Sequence, residues 1–119
     1  MAVLSTHTLN SVDGTHAGGV AISLYRIEED GRRTEVFKAA TDDGGRFTRE
    51  LELSEADTRA QFEMVLGSSA YFRDREQSAA ATQICDEVVI RFCMPDPDGR
   101  YHIPMMLSPN SYSVWWSGE

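Results

Sequence analysis

Residues 101–119 of the chain read YHIPMMLSPNSYSVWWSGE, and this stretch gives the strongest indication of the fold. Apolar side chains alternate around His102, a turn follows at residues 108–110, and a second run ends on Trp115 and Trp116. Alternation of this kind is typical of β-strands with one buried face. Because a tryptophan can bury roughly 150–250 Å², we expect this end to pack into a core, an interface or a pocket wall.

The same alternation recurs along the rest of the chain, between turns rich in Gly, Asp, Asn and Pro. It predicts eight strands, at residues 3–9, 19–27, 33–40, 46–53, 61–66, 87–93, 100–107 and 111–116. Residues 69–81 are rich in helix formers and predict one short helix. Strands at this spacing predict an all-β sandwich or barrel. The length of 119 residues predicts a single domain spanning residues 1–119.

Composition and charge exclude several classes of function. The net charge of −8 argues against nucleic-acid binding, which needs clustered Lys and Arg. No apolar run is long enough to span a membrane, and the first ten residues, MAVLSTHTLN, do not resemble a secretion signal. If the segment between Cys85 and Cys93 is one strand, the two thiols are too far apart to bond to each other, so reduced thiols are expected. The sequence predicts a cytoplasmic protein.

Four side chains are candidates for chemistry. His7 and His102 lie in predicted strands, and an imidazole titrates near neutral pH. His16 follows a turn, where an exposed position is expected, and Arg46 follows two glycines. Taken alone, a strand histidine is more often a packed residue than a catalyst, and Arg46 could be a solvated edge arginine. The chain has no phosphate loop, nucleophile elbow or His/Cys metal cluster, so nucleotide-driven, serine-hydrolase and metal chemistry all lack support.

Several segments, in order over nearly the whole chain, resemble the transthyretin-like 5-hydroxyisourate hydrolases. They are residues 4–10 (LSTHTLN), 20–26 (VAISLYR), 43–46 (DGGR), 68–72 (SSAYF) and 101–109 (YHIPMMLSP). The last segment is long enough to be highly specific. At one family position the match is only partial, because His16 stands where the family has a proline after the first turn.

The resemblance implies a transthyretin-like two-sheet sandwich of about eight strands, with one short helix. It implies a homotetramer, a dimer of dimers, whose active sites lie in a channel between the dimers. The family opens the six-membered ring of 5-hydroxyisourate at an amide bond, without a cofactor. Carried over by position, the catalytic histidines fall on His7 and His102, and the substrate-binding arginine falls on Arg46.

The chain departs from the family at its end, where Tyr-Arg-Gly-Ser is replaced by Trp115, Trp116, Ser117 and Gly118. We expect Trp115, Trp116 and Ser117 to contact the substrate, with aromatic surface in place of a donor and a positive charge. Three functions stay open. The chain could hydrolyse 5-hydroxyisourate, act on a less polar relative such as an N-methylated heterocycle, or bind a small molecule without catalysis, as transthyretin does.

Overall fold

The computed structural model describes residues 1–77 and 82–118, which fold into two packed β-sheets. The strands are β1 (Ala2–Asn10), β2 (Thr15–His16), β3 (Ala21–Ile27), β4 (Arg33–Ala40), β5 (Arg46–Leu51), β6 (Gln61–Leu66), β7 (Val88–Cys93), β8 (Arg100–His102), β9 (Met105–Ser108) and β10 (Ser111–Val114). A 3₁₀ turn, Asp57–Arg59, precedes β6, and one helix, α1 (Ser68–Asp74), follows it. None of the helices described is long and apolar enough to cross a membrane.

Strand β1 is the centre of the first sheet. It runs antiparallel to β2 and β5 and parallel to β8 and β9, and β10 pairs with β9 at the edge. The second sheet has the order β4-β3-β6-β7, with every neighbouring pair antiparallel. The predicted all-β sandwich with one short helix is confirmed.

The core lies between the two sheets, and alternation along β1 decides which of its side chains enter it. Every second residue from Ala2 to Asn10 is buried, and the residues between them are only half-buried. The inward side chains meet apolar residues of the second sheet, and Phe72 of α1 closes one end of the core with no exposed surface. The other face of β1 therefore points out of the sandwich and is available for function.

Several predicted elements are corrected: ten strands form within the described residues where about eight were predicted, β2 was not predicted, β3 begins at Ala21 and β5 ends at Leu51. Residues 100–107 form two strands, because Pro104 has no N–H to donate and interrupts the pairing with β1, after the N–H of Ile103 has donated to the carbonyl of Ser5. The last strand ends at Val114 instead of residue 116. The helix ends at Asp74, and Glu76 takes a left-handed φ of 58°. The remainder of the predicted helix includes residues 78–81, which lie outside the described residues.

Candidate active site on the outer face of the first sheet

His7 lies on the outward face of β1, where it is half-buried. Its inward neighbours Thr6 and Thr8 are buried and hydrogen-bond to backbone carbonyls. Because side chains alternate along a strand, Ser5 shares the outward face with His7. The alternation that anchors β1 in the core thus holds the imidazole at the surface on a rigid element.

Arg46 is the residue of β5 directly opposite His7 in the antiparallel register. A tight turn brings it there: one oxygen of Asp42 accepts hydrogen bonds from the backbone N–H groups of Gly44 and Arg46, at 2.9 Å each. Gly45 adopts a φ of +74° and its carbonyl accepts a 2.7 Å hydrogen bond from the N–H of Thr8. The side chain of Arg46 therefore leaves the sheet on the same face as the imidazole of His7.

His102 is the third member of this group. It is paired with Ser5 in the parallel register of β1 and β8, so its side chain also points outward. Its Nδ1 shares a 2.8 Å hydrogen bond with Oγ of Ser5. A hydrogen bond on one ring nitrogen fixes the orientation of an imidazole and decides what the other nitrogen can do. Ser5 therefore positions His102 on the face that carries His7 and Arg46.

His16 also contacts His7, which the sequence did not lead us to expect. Strand β2 folds back on β1 and pairs His16 with Leu9, on the outward face. Nδ1 of His16 lies 2.8 Å from Nε2 of His7, and the two rings stack with their centroids 4.9 Å apart. A proline at position 16 could not make this hydrogen bond.

The surroundings of His7 favour its neutral form. Burial lowers the pKa of His7, and the nearby charges of Arg46, His16 and His102 lower it further. A hydrogen bond with the backbone of Gly44 acts in the opposite direction on that pKa. A neutral imidazole can accept a proton, so His7 is equipped to act as a general base near neutral pH.

The arrangement combines a neutral imidazole, a guanidinium and a second imidazole held by a hydroxyl group. Such a set can activate water, stabilise a developing oxyanion and supply a proton to a leaving group. Within residues 1–77 and 82–118, no group of three or more His, Cys, Asp or Glu side chains is arranged to hold a metal ion. The side chains present are suited to acid–base chemistry.

The C-terminal segment continues past the site. The N–H of Ser117 donates a 2.8 Å hydrogen bond to the carbonyl of His102, which brings Ser117 beside the histidine. Trp115 and Trp116 are 46% and 66% exposed. They border an open apolar cavity of about 390 Å³ at the edge of the sandwich, lined by Ile90, Phe92, Cys93, Pro95, Tyr101, Ile103, Val114, Trp115 and Trp116.

The structure thus brings His7, Arg46 and His102 together on one face, with Ser117 at its border. The two tryptophans line a cavity whose described lining does not include those three residues. The contacts of His16 and Ser5 with the histidines were missed. For His16 a signal was present: the turn-rich residues 10–14 reverse the chain and return it alongside β1.

Known proteins resemble this chain in sequence and in fold. Residues 4–116 match the HIUase/Transthyretin family. A 5-hydroxyisourate hydrolase of Pseudomonas aeruginosa is 32% identical over 97% of this chain and 90% of its own. A 5-hydroxyisourate hydrolase of Mesorhizobium japonicum is 34% identical over 94% of this chain and 89% of its own. The structure of sea bream transthyretin in complex with thyroxine superposes with a TM-score of 0.81 at 23% identity, covering 98% of this chain and 95% of that one.

Proposed function

The chain belongs to the HIUase/Transthyretin family, and we propose that it is a hydrolase that opens the six-membered ring of 5-hydroxyisourate at a cyclic amide bond. The observation that carries the proposal is the meeting of His7, Arg46 and His102 on the outer face of the first sheet. Each of these residues lies in a segment that resembles the hydrolases. Both relatives described above are named 5-hydroxyisourate hydrolase.

In the proposed reaction, neutral His7 takes a proton from a water molecule, whose oxygen attacks the amide carbonyl carbon of the ring. Arg46 donates hydrogen bonds to the carbonyl oxygen as it gains negative charge. The carbon–nitrogen bond then breaks, and His102, oriented by Ser5, gives a proton to the departing ring nitrogen. The products are a carboxylic acid and the N–H form of the former amide nitrogen, so one water molecule is consumed and no electrons are transferred. Return of a proton from His7 to His102 through solvent restores both histidines.

The test is to follow the ultraviolet absorbance of freshly generated 5-hydroxyisourate with and without the protein. We expect faster decay than in buffer alone. Arg46→Gln should lower kcat/KM by about 10²–10³-fold, as loss of an oxyanion donor does. Arg49→Gln is the matched control, because Arg49 lies on the same strand but packs over the rings of Phe37 and Phe47. No acceleration by the wild-type protein would refute the proposed function.

A second candidate function is favoured by the tryptophans at the C-terminus. Trp115 and Trp116 add aromatic surface next to Ser117, whose N–H is bonded to His102. Aromatic rings would stack on a less polar, N-methylated heterocycle better than they would pair with ring N–H groups. Faster decay of methylated analogues than of 5-hydroxyisourate would favour this function. Quenching of tryptophan fluorescence by ligands that all stay intact would instead indicate a binding protein.

We also propose a cytoplasmic homotetramer. Its support is that, among the described strands, β7 pairs only with β6 and β10 only with β9, so each sheet ends in an open edge. The open edges are bordered by exposed apolar side chains, among them Val89, Tyr112 and Trp116. Unpaired edges of this kind are suited to pairing with another copy. Light scattering coupled to size exclusion would test the assembly, and a monomeric mass would refute it.

A further inference from the structure

We propose that His16 is a positioning residue of the active site, which holds the ring of His7 and restricts its tautomer. The observation behind this inference is the contact between the two imidazoles, which joins Nδ1 of His16 to Nε2 of His7 at 2.8 Å. The inference deepens the proposed function and rests on it for the kinetic part of its test.

The chain reaches this contact through its backbone. The residues between β1 and β2 form a turn closed by the N–H of Gly14, which donates to the carbonyl of Asn10. Asp13 supports the turn by accepting hydrogen bonds from the N–H and the hydroxyl of Thr15. The register then pairs His16 with Leu9, two residues from His7 on the same face of β1. Position 16 is therefore held beside His7 by main-chain hydrogen bonds.

Two independent restraints act on the ring of His7. The hydrogen bond to His16 fixes the direction of Nε2, and the stacking of the rings, with 23° between their planes, fixes the ring plane. The backbone of Gly44 also forms a hydrogen bond with the ring, so His16 supplies the side-chain restraint on a half-buried imidazole at an open sheet face. A general base has to be held within hydrogen-bonding reach of the proton that it abstracts.

The hydrogen bond also has a chemical consequence. A neutral imidazole has one donor nitrogen and one acceptor nitrogen. A donor Nδ1 on His16 requires an acceptor Nε2 on His7, and the reverse, so the contact couples the tautomer of His7 to that of His16. Without His16, both tautomers of His7 become accessible. Only a fraction of the protein molecules then present the acceptor nitrogen of His7 where the reaction needs it. The expected result of losing His16 is a lower kcat with little change in KM.

The charged and titratable groups around His7 come from three strands. Arg46 approaches from β5, His102 from β8 and His16 from β2. Of these three side chains, His16 is the one that forms a hydrogen bond to the ring of His7 in the described structure, in addition to the bond with the backbone of Gly44. The other two are assigned to the substrate in the proposed reaction, so the task of orienting His7 falls to His16.

The experiment compares three variants. His16→Phe keeps a ring for stacking but removes the nitrogen, and His16→Asn keeps a side-chain polar atom close to the position of Nδ1. Val12→Ala is the control, because Val12 is half-exposed in the same turn and is not part of the site. For each variant we would measure kcat and KM on 5-hydroxyisourate, and the ¹⁵N chemical shifts of the His7 ring, assigned with a His7→Gln variant.

We expect His16→Phe to lower kcat about tenfold, as the loss of a partner that orients a histidine does, and to change the His7 shifts from one tautomer to an average of two. His16→Asn should restore most of the rate, and Val12→Ala should behave like the wild type. A wild-type kcat in His16→Phe would overturn the proposal. So would a change confined to KM, because it would make His16 a substrate-binding residue.

The two proposals fail in distinguishable ways. If the wild-type protein does not accelerate the decay of 5-hydroxyisourate, the proposed function is wrong, but the ¹⁵N shifts still test the contact. If the shifts show a single His7 tautomer in the wild type and an average of two tautomers in His16→Phe, they support the role of His16 in positioning the ring. Identical His7 shifts in the two proteins would overturn it whatever the activity.

Discussion

Substitution of Gly45 by alanine should damage both the stability and the activity of the protein. Gly45 precedes Arg46 and has a φ of +74°, a conformation that residues with a side chain rarely adopt. A Cβ added there would lie 2.3 Å from the backbone oxygen of Thr8. That oxygen accepts a 2.9 Å hydrogen bond from the N–H of Ala17. The backbone around His7 would have to move to admit one methyl group.

The magnitude has two parts. The left-handed conformation costs about 1–2 kcal/mol for a residue with a Cβ. Displacing the Thr8 carbonyl costs in addition the hydrogen bond from Ala17, about 0.5–1.5 kcal/mol. Together these give a loss of about 1.5–3.5 kcal/mol in the free energy of unfolding. For a domain of this size that corresponds to a Tm lowered by roughly 10 °C.

Gly31→Ala is the control that separates the two parts. Gly31 has a φ of +87°, but no described atom lies within 4 Å of a Cβ built on it. It should lose only the conformational part, about 1–2 kcal/mol, and keep its activity. Gly45→Ala should also lose activity, because a displacement of Arg46 by about 1 Å can cost on the order of 100-fold in rate.

Thermal unfolding followed by circular dichroism measures Tm for both variants, and the ultraviolet decay assay measures kcat/KM at a temperature where both are folded. The reasoning is refuted if the two substitutions lower Tm by the same amount, since the contact with Thr8 would then have no energetic effect. If Gly45→Ala keeps full activity, the inference that Gly45 positions Arg46 for the reaction is also refuted.

Four further predictions concern the site. Ser5→Ala removes the hydroxyl that holds His102 and should lower kcat about tenfold with little change in Tm, which steady-state kinetics and thermal unfolding would show. Because burial and neighbouring charges lower the pKa of His7, the base stays neutral to lower pH, and the acid limb of kcat/KM should have its midpoint below the ordinary imidazole value of about 6.5. Arg46→Gln removes one of those charges, so the acid limb of its residual kcat/KM should have its midpoint at a higher pH than in the wild type. Trp116→Arg adds donors close to Ser117 and should raise kcat/KM on 5-hydroxyisourate about tenfold, as one charge-assisted hydrogen bond would; a decrease would show that Trp116 contributes to binding or assembly.

Period-two alternation was sufficient to predict most of the fold. In β1 it correctly put His7 on the face opposite Thr6 and Thr8, because a strand that buries one face must expose the other. The bounds of β4 and β6 were predicted to the residue, since turns with Gly or a charged run delimit them. Local pattern decides such elements, and a single sequence contains that information.

Contacts between distant segments could not be predicted as well from the sequence. The pairing of His102 with Ser5 depends on a parallel register across residues far apart in sequence, and no local pattern specifies that register. The helix was predicted too long because its propensity continues beyond Asp74, whereas the side chain of Gln77 accepts a 2.8 Å hydrogen bond from Asn10 of β1. A tertiary contact overrides propensity there.

The fold leaves the function to a few outward side chains. Sea bream transthyretin, solved in complex with thyroxine, shares this fold, so the fold alone does not decide which molecule is bound. In this chain the inward residues of β1 stabilise the core, and the outward residues Ser5 and His7 contact His102 and His16. Substitutions on the outward face create no cavity in the core, and should therefore change activity at little cost in stability. Activity in this fold can accordingly be gained or lost without refolding the sandwich, and a change such as the two tryptophans at the C-terminus can alter the substrate while the scaffold stays the same.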